Sequence, residues 1–201
     1  MNGIEKLGSH NSWTFAKTLH WYYPAFMARC QNLDIIKQYK TGVRLFDLRL
    51  RWDDCLGWVV AHGFVKFKTD WKRDLEYLNN RKDCYVRVIL EYNRPIRKDS
   101  DITANFSDMC RYLEIIYPNI KFFGGNRKWD WRAVYDFTTP NVSLLDRYSS
   151  TTSLFNSELK LLRVIDDWWP WLYARLRNKK NIEEYKKNNS GQWLFIDYIQ
   201  P

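Results

Sequence analysis

The stretch Thr41-Gly42-Val43-Arg44-Leu45-Phe46-Asp47-Leu48-Arg49-Leu50-Arg51-Trp52 reads as a β-strand with two unlike faces. Successive side chains of a strand point to opposite sides. Phe46, Leu48 and Leu50 therefore share one face, and Asp47, Arg49 and Arg51 share the other. The same split recurs in Cys84 to Tyr92, where Val86, Val88 and Leu90 oppose Arg87, Ile89 and Glu91. It recurs again in the closing strand, Trp193 to Ile199, where Leu194 and Ile196 oppose Phe195 and Asp197. A sheet covered by helices on its apolar face must enclose those ionisable groups on the other, and enclosed charges need partners or a ligand.

Outward from these strands the chain alternates strand and helix. Further strands are expected at Ile4 to Ser12, Leu56 to His62, Ile120 to Phe123 (stopped by Gly124-Gly125) and Asn141 to Tyr148. Helices are expected at Pro24 to Tyr39, Trp71 to Asn79, Ile102 to Ile116 and Leu159 to Arg177, the last kinked or restarted at Pro170. This order predicts an α/β domain with a mainly parallel sheet, residues 1–201 forming one domain. In parallel barrels the site lies at the carboxyl ends of the strands, where several of the charged residues fall.

The 201 residues carry 32 Lys and Arg against 23 Asp and Glu, a net charge of +9. A 45% apolar, 27% charged composition is that of a globular chain, which excludes disorder and fibrous classes. No apolar run is long enough to span a bilayer and no secretory signal is visible, so a peripheral or soluble protein is expected, with its compartment left open. The basic residues are scattered and carry no nucleic-acid motif, so nucleic acid is not an expected partner. An anionic membrane surface or a phosphorylated small substrate suits such a spread. The four cysteines, Cys30, Cys55, Cys84 and Cys110, form no CxxC pair. A cysteine zinc site is not expected, and four small core residues are. A monomer is expected.

The three histidines are His10, His20 and His62. His10 and His62 sit at strand ends beside glycines. Two imidazoles facing one substrate suit an attack-and-expulsion reaction, one as general base and one as general acid. A phosphodiester is the natural target, because a guanidinium such as Arg49 stabilises the charge that builds at phosphorus.

These residues lie in recognisable motifs. Gly8-Ser9-His10-Asn11-Ser12-Trp13-Thr14-Phe15 resembles the first signature of the phosphatidylinositol-specific phospholipase C X-domain family. The Thr41 to Trp52 stretch resembles its second signature and Ala61-His62-Gly63 its third, with Gln31 and Leu33 to Gly42 in the usual intervening helix. Ser143 to Ser150 and Trp193 to Ile199 resemble two later strands. The resemblance implies a distorted TIM-like (β/α) barrel. It implies His10 as general base held by Asp197, His62 as general acid, Arg49 on the phosphate and Asp47 orienting it. Asn11, Glu91 and Arg147 are implied as substrate-binding residues, and Trp21, Tyr22 and Tyr23 as membrane contacts. The Asp167 to Trp171 cluster is similar, with core packing as its other reading.

Calcium-dependent relatives carry an acidic residue where Arg49 stands, so the chain resembles the metal-independent bacterial type and no metal cofactor is expected. A weak calcium site on Asn11, Asp47 and Glu91, formed if Arg49 swings away, remains as an alternative, because asparagine at position 11 is the calcium-type residue. The span from Arg147 to Asp197 is short for the family, so the barrel is expected to be incomplete, with about six strands and not eight. The expected function is cleavage of a phosphoinositide or related phosphodiester to diacylglycerol and a cyclic inositol phosphate. The alternatives are a phosphodiesterase for another lipid headgroup or glycan anchor, and a non-catalytic headgroup-binding module.

Overall fold

The computed structural model describes residues 4–91, 99–128, 130–146, 165, 169–188 and 191–200. Its elements are β1 (Leu7–Ser9), α1 (Ala25–Ala28), α2 (Ile35–Lys40), β2 (Val43–Asp53), β3 (Gly57–His62), β4 (Val65–Phe67), α3 (Trp71–Asn79), β5 (Tyr85–Leu90), α4 (Asp99–Ile116), β6 (Lys121–Arg127), β7 (Leu144–Asp146), α5 (Pro170–Asn188) and β8 (Trp193–Ile196). Six strands run parallel in the order β6-β5-β2-β1-β8-β7. The hairpin β3-β4 is added antiparallel to the C-terminal end of β2. The sheet is thus eight-stranded and not six-stranded: the six form the arc, and the hairpin supplies the other two. Among the described residues β6 and β7 do not pair, so the result is a distorted, incomplete TIM-like barrel. That gap is spanned by the Asn141 side chain, whose Oδ1 accepts from the Gly124 backbone N–H at 3.2 Å.

The alternation in the strands decides what is inside. Phe46, Leu48, Leu50, Val86, Val88, Leu90, Leu194 and Ile196 join the main core, packed against Ile35 of α2, Leu75 and Leu78 of α3, Phe106 and Leu113 of α4 and Tyr173 of α5. The opposite face closes on itself. At its lower end Leu45, Phe123, Trp193 and Phe195 form a separate apolar plug with Tyr85, Val142 and Leu144. Above the plug, toward the carboxyl ends of the strands, the same face carries the ionisable residues.

Gly8 lies in β1 where the plug is tightest. A Cβ there would sit 2.7 Å from Phe195 Cδ2 and 3.3 Å from Leu45 Cδ2. Overfilling a packed interior costs typically 1–3 kcal/mol, and Gly8→Ala is expected to lower the unfolding free energy by about 2 kcal/mol. A urea melt reads this directly; an unchanged midpoint would mean that the plug is loose.

Several elements differ from expectation for identifiable reasons. The single helix expected over Pro24 to Tyr39 is two short ones. The chain between them is committed elsewhere: Cys30 N–H donates to Thr14 Oγ1, and the Cys30 carbonyl accepts from Tyr198 N–H. Gln31 stands in this break, not in a helix. α2 then starts on Asp34, whose carboxylate accepts from Lys37 N–H at 2.8 Å. β6 runs through Gly124-Gly125, because the ladder with β5 shifts register there and the extra residue is absorbed as a bulge. A Cβ on Gly125 would lie 2.0 Å from the Tyr135 carbonyl oxygen, so the bulge requires glycine. β1 is shorter than expected, because Asn11 turns the chain with a φ of 47°. β4 was not expected. The last helix begins at Pro170, where proline suits a first turn. The expected start at Leu159 lies outside the described residues. The cysteines are free, and Cys55 is exposed in the β2-β3 turn, contrary to a core role; Cys30, Cys84 and Cys110 are buried.

Candidate active site

Five of the six strands of the arc deliver one or two polar side chains to the space above the plug, and the sixth, β6, leads to Lys128, whose Nζ donates to Glu91 Oε1. β1 ends at His10, β2 supplies Asp47 and Arg49, β5 supplies Arg87 and leads to Glu91, β7 ends at Asp146, and β8 leads to Asp197. All seven are buried. The turn after β1 is folded onto β2. Ser12 Oγ donates to the Ser9 carbonyl and accepts from Asp47 N–H, while Asn11 N–H donates to Asp47 Oδ2 at 3.0 Å. His10 N–H donates to the Ile196 carbonyl, which ties the first signature to the last strand.

His10 sits between two charges. Its Nδ1 is 2.9 Å from Asp197 Oδ1 and its Nε2 is 2.7 Å from Arg49 Nη2. A guanidinium can only donate, so Nε2 holds the lone pair and Nδ1 carries the proton, donated to Asp197. Burial, reinforced by Arg49, holds the His10 pKa well below the ordinary imidazole range. The ring is therefore neutral and in the tautomer that a general base requires.

Asp47 is the hub. Its Oδ2 accepts from Arg49 Nε at 2.8 Å and its Oδ1 from Arg87 Nε at 2.8 Å. Burial opposes its ionisation, but the Arg49 and Arg87 guanidiniums outweigh it and hold the carboxyl well below its usual range. Glu91 Oε1 accepts from Lys128 Nζ and from Gly63 N–H at 2.7 Å, and Oε2 lies 3.6 Å from Arg49 Nη1. Against the cost of burial, Lys128 and Arg49 keep this carboxyl ionised as well.

His62 stands at the end of β3, half-buried at the mouth. Its Nδ1 is 2.9 Å from the Ala28 carbonyl, which fixes the ring with Nδ1–H donating and Nε2 free of that contact. Burial, with Lys128 adding to it, lowers its pKa to about 4. Asn11 brings no charge to its aid: the amide lies on His10 Nδ1 at 3.0 Å and Cys30 Sγ at 3.4 Å.

The expected residues His10, Asn11, Asp47, Arg49, Glu91 and Asp197 are thus brought into one cluster, and His62 joins it through Gly63 and Cys30. Arg147 lies outside the described residues. Its neighbour Asp146 does reach the cluster, with Oδ2 3.9 Å from Arg87 Nη1. Arg87, Asp146, Lys128 and Cys30 were not foreseen as site residues. The alternation placed Arg87 on the inner face of its strand, beside Asp47, and that was the one available signal. Its Nη2 is buried without a hydrogen-bond partner, and its guanidinium lies over the Phe195 ring, 4.5 Å from the centroid.

Calcium does not fit the donor set. Asn11 Oδ1 and Glu91 Oε2 have no hydrogen-bond partner, but Asp47 carries two guanidiniums and Glu91 Oε1 accepts from Lys128, with Arg49 between them, so with the side chains as placed the carboxylate charge a hard cation needs is already neutralised.

Around the mouth the surface is aromatic. Trp21 is 93% and Tyr22 61% exposed, while Tyr23 is half-buried and packs edge-on against Phe64, itself 52% exposed. Trp169 and Trp171 are also exposed, which excludes core packing for that part of the second cluster; Asp167 and Trp168 lie outside the described residues. No helix among the described residues is long and apolar enough to cross a membrane.

No protein-family model matches the chain. Two curated relatives, each a 1-phosphatidylinositol phosphodiesterase of Staphylococcus aureus (strains Newman and NCTC 8325), are 23% identical to it over 208 aligned residues. The alignments cover 92% of this chain but only 66% and 62% of the relatives' own lengths. Among solved structures, the phosphatidylinositol-specific phospholipase C of Listeria monocytogenes superposes with a TM-score of 0.60 at 15% identity, covering 98% of this chain and 89% of that one. A Staphylococcus aureus enzyme of the same name, described for its membrane binding, gives 0.57 at 16% identity, covering 97% and 86%. The family that the motifs resemble is therefore also the one that the chain resembles in sequence and shares a fold with, the bacterial phosphatidylinositol-specific phospholipases C.

Proposed function

We propose that the protein is a phosphodiesterase of phospholipase C type, cleaving phosphatidylinositol at the mouth of the incomplete barrel. The observation that carries this reading is the neutral His10, with its Nε2 lone pair held at 2.7 Å by Arg49 and its Nδ1 proton by Asp197. An incoming phosphate takes the guanidinium, and a neighbouring substrate hydroxyl takes the vacated Nε2. That hydroxyl loses its proton to Nε2 and its oxygen attacks phosphorus. The bond from phosphorus to the diacylglycerol oxygen breaks, and His62 gives that oxygen a proton. Asp197 stabilises the imidazolium that forms on His10, and Asp47 keeps Arg49 aimed. The second guanidinium, Arg87, braces Asp47. Glu91, Asn11 and Arg147 are assigned to the headgroup.

No metal enters this scheme, since Arg49 supplies the positive charge. The exposed aromatic rim, Trp21 to Tyr23 with Phe64, is assigned to a phospholipid surface, where amphipathic rings settle at the headgroup level. The chain acts there as a peripheral protein.

Phosphorus NMR of phosphatidylinositol vesicles tests the reading. A five-membered cyclic inositol phosphate is expected, at a rate unchanged by a calcium chelator. Vesicle binding without turnover would leave only the headgroup-binding module, and a loss of rate in chelator would return the calcium alternative.

The pH dependence has a definite sign. Productive encounter needs His10 neutral and His62 protonated. With the His62 pKa at about 4, the protonated fraction of the free enzyme falls about tenfold for each pH unit above that value. kcat/KM is expected to rise steadily from pH 8 toward pH 5. A bound phosphate anion favours the imidazolium, so the alkaline limb of kcat lies at higher pH than that of kcat/KM. A kcat/KM profile flat across this range would remove His62 as the acid.

A further inference from the structure

Cys30 occupies a position that the phosphodiesterase chemistry does not use. It is buried in the break between α1 and α2 and forms no disulfide. Its Sγ, a ring nitrogen of His10 and a carboxylate oxygen of Asp197 all lie within 4.8 Å of one another. The three ligand types are thiol, imidazole and carboxylate. In a tetrahedral zinc site the bonds are about 2.0–2.3 Å, which puts neighbouring ligand atoms about 3.3–3.6 Å apart. The His10 Nδ1 to Asp197 Oδ1 separation of 2.9 Å must open slightly, and the sulfur must draw in.

A second observation at the same place also points to a ligand. Asn11 is 1% exposed, and its Oδ1 is buried with no hydrogen-bond partner. Its Nδ2 lies 3.0 Å from His10 Nδ1 and 3.4 Å from Cys30 Sγ. Turning the amide end for end brings the unpartnered oxygen into the same space as a fourth ligand.

We propose that Cys30, His10, Asp197 and Asn11 form an inhibitory site for a borderline-soft divalent cation, zinc being the natural occupant. The inhibition rests on the assignment of His10 as the base; the site itself does not. On binding, Cys30 releases its thiol proton to water and the thiolate takes the metal. His10 coordinates through Nδ1, so its single proton moves to Nε2. Nε2–H repels the Arg49 guanidinium, and the lone pair that would accept the substrate's proton is gone. One thiolate and one imidazole select zinc or cobalt over calcium or magnesium.

The test uses a Cys55→Ala background, which removes the exposed thiol. Cobalt(II) added to this protein is expected to give one thiolate-to-cobalt charge-transfer band per chain in the near ultraviolet, abolished by equimolar zinc. The band is expected to vanish when Cys30→Ala is added, or Cys30→Ser if alanine does not fold. Micromolar zinc is expected to slow turnover at least tenfold in the Cys55→Ala protein, reversibly with chelator, and to leave whatever turnover the double variant retains unchanged. Absence of the band in the Cys55→Ala protein, its survival without Cys30, or zinc inhibition that persists without Cys30 overturns the site. The cobalt band is read without any substrate, so a failure of the phosphodiesterase reading alone would leave it intact.

Discussion

A His10→Asn enzyme is expected to turn over phosphatidylinositol at least about 10⁴-fold more slowly than the native one, because loss of a general base in a mutually oriented set removes most of the rate. Asparagine is the informative replacement. Its Nδ2 falls near the position of Nδ1 and can still donate to Asp197, so the buried carboxylate keeps a partner. Nothing replaces Nε2. The folded state should therefore lose little stability, whereas His10→Ala leaves the Asp197 carboxylate without the Nδ1 donor and costs about 1–3 kcal/mol. A urea melt beside the turnover assay separates the two effects. Retention of more than about a tenth of the native rate by His10→Asn would exceed what the loss of a general base permits and would take His10 out of the reaction.

Arg49 carries the second large effect. It is 2% exposed, paired at 2.8 Å with Asp47 and at 3.6 Å with Glu91, and it holds the base at 2.7 Å. Arg49→Ala is expected to lower kcat by about 10³-fold, the scale of losing a main donor to a developing oxyanion. It also leaves two buried carboxylates short of a cation. Arg87 and Lys128 remain on Asp47 and Glu91, so the loss of stability should sit near the lower end of the range for breaking a buried pair, about 3 kcal/mol. Arg49→Lys keeps the charge but cannot span Asp47, Glu91 and a phosphate oxygen together, because an ammonium is a point donor and a guanidinium a planar fork. It is expected to recover much of the stability and little of the rate, with kcat reduced more than KM is raised. A lysine enzyme as fast as the native one would reduce Arg49 to a structural cation. Recovery of the alanine variant by added calcium would place a metal where the guanidinium stands.

Arg49 was already marked by strand alternation, and His10 by its place at a strand end and in the first motif. The period of two in Thr41 to Trp52 put Asp47 and Arg49 on the face opposite Phe46, Leu48 and Leu50, and the structure assigns those faces to the barrel interior and to the helix-covered core. Side-chain direction along a strand is local geometry, so it is legible without the fold. The same is true of the inner positions in β5 and β8. Helix boundaries near the site were less legible. Residues 29–33 have an ordinary helical pattern, but the backbone N–H and carbonyl of Cys30 are claimed by Thr14 and Tyr198, which are distant in sequence. A competing tertiary hydrogen bond leaves no local trace. The double glycine of β6 looked like a stop because glycine usually punctuates, whereas here it admits a bulge against Tyr135.

The sequence by itself determined the α/β class, the two-faced strands, and the roster of acid, base and guanidinium that the motifs suggest. The first two follow from chain periodicity, a property of neighbours along the chain, and the roster follows from residue type and from what the resemblance of the motifs implies. Tertiary structure alone decided three further things: the tautomer of His10, the depressed pKa of His62, and the meeting of Cys30 with His10 and Asp197. Each depends on burial and on distances of a few ångströms between residues from separate elements. Electrostatic energy and metal geometry vary steeply over such distances, so a local pattern along the chain cannot report them.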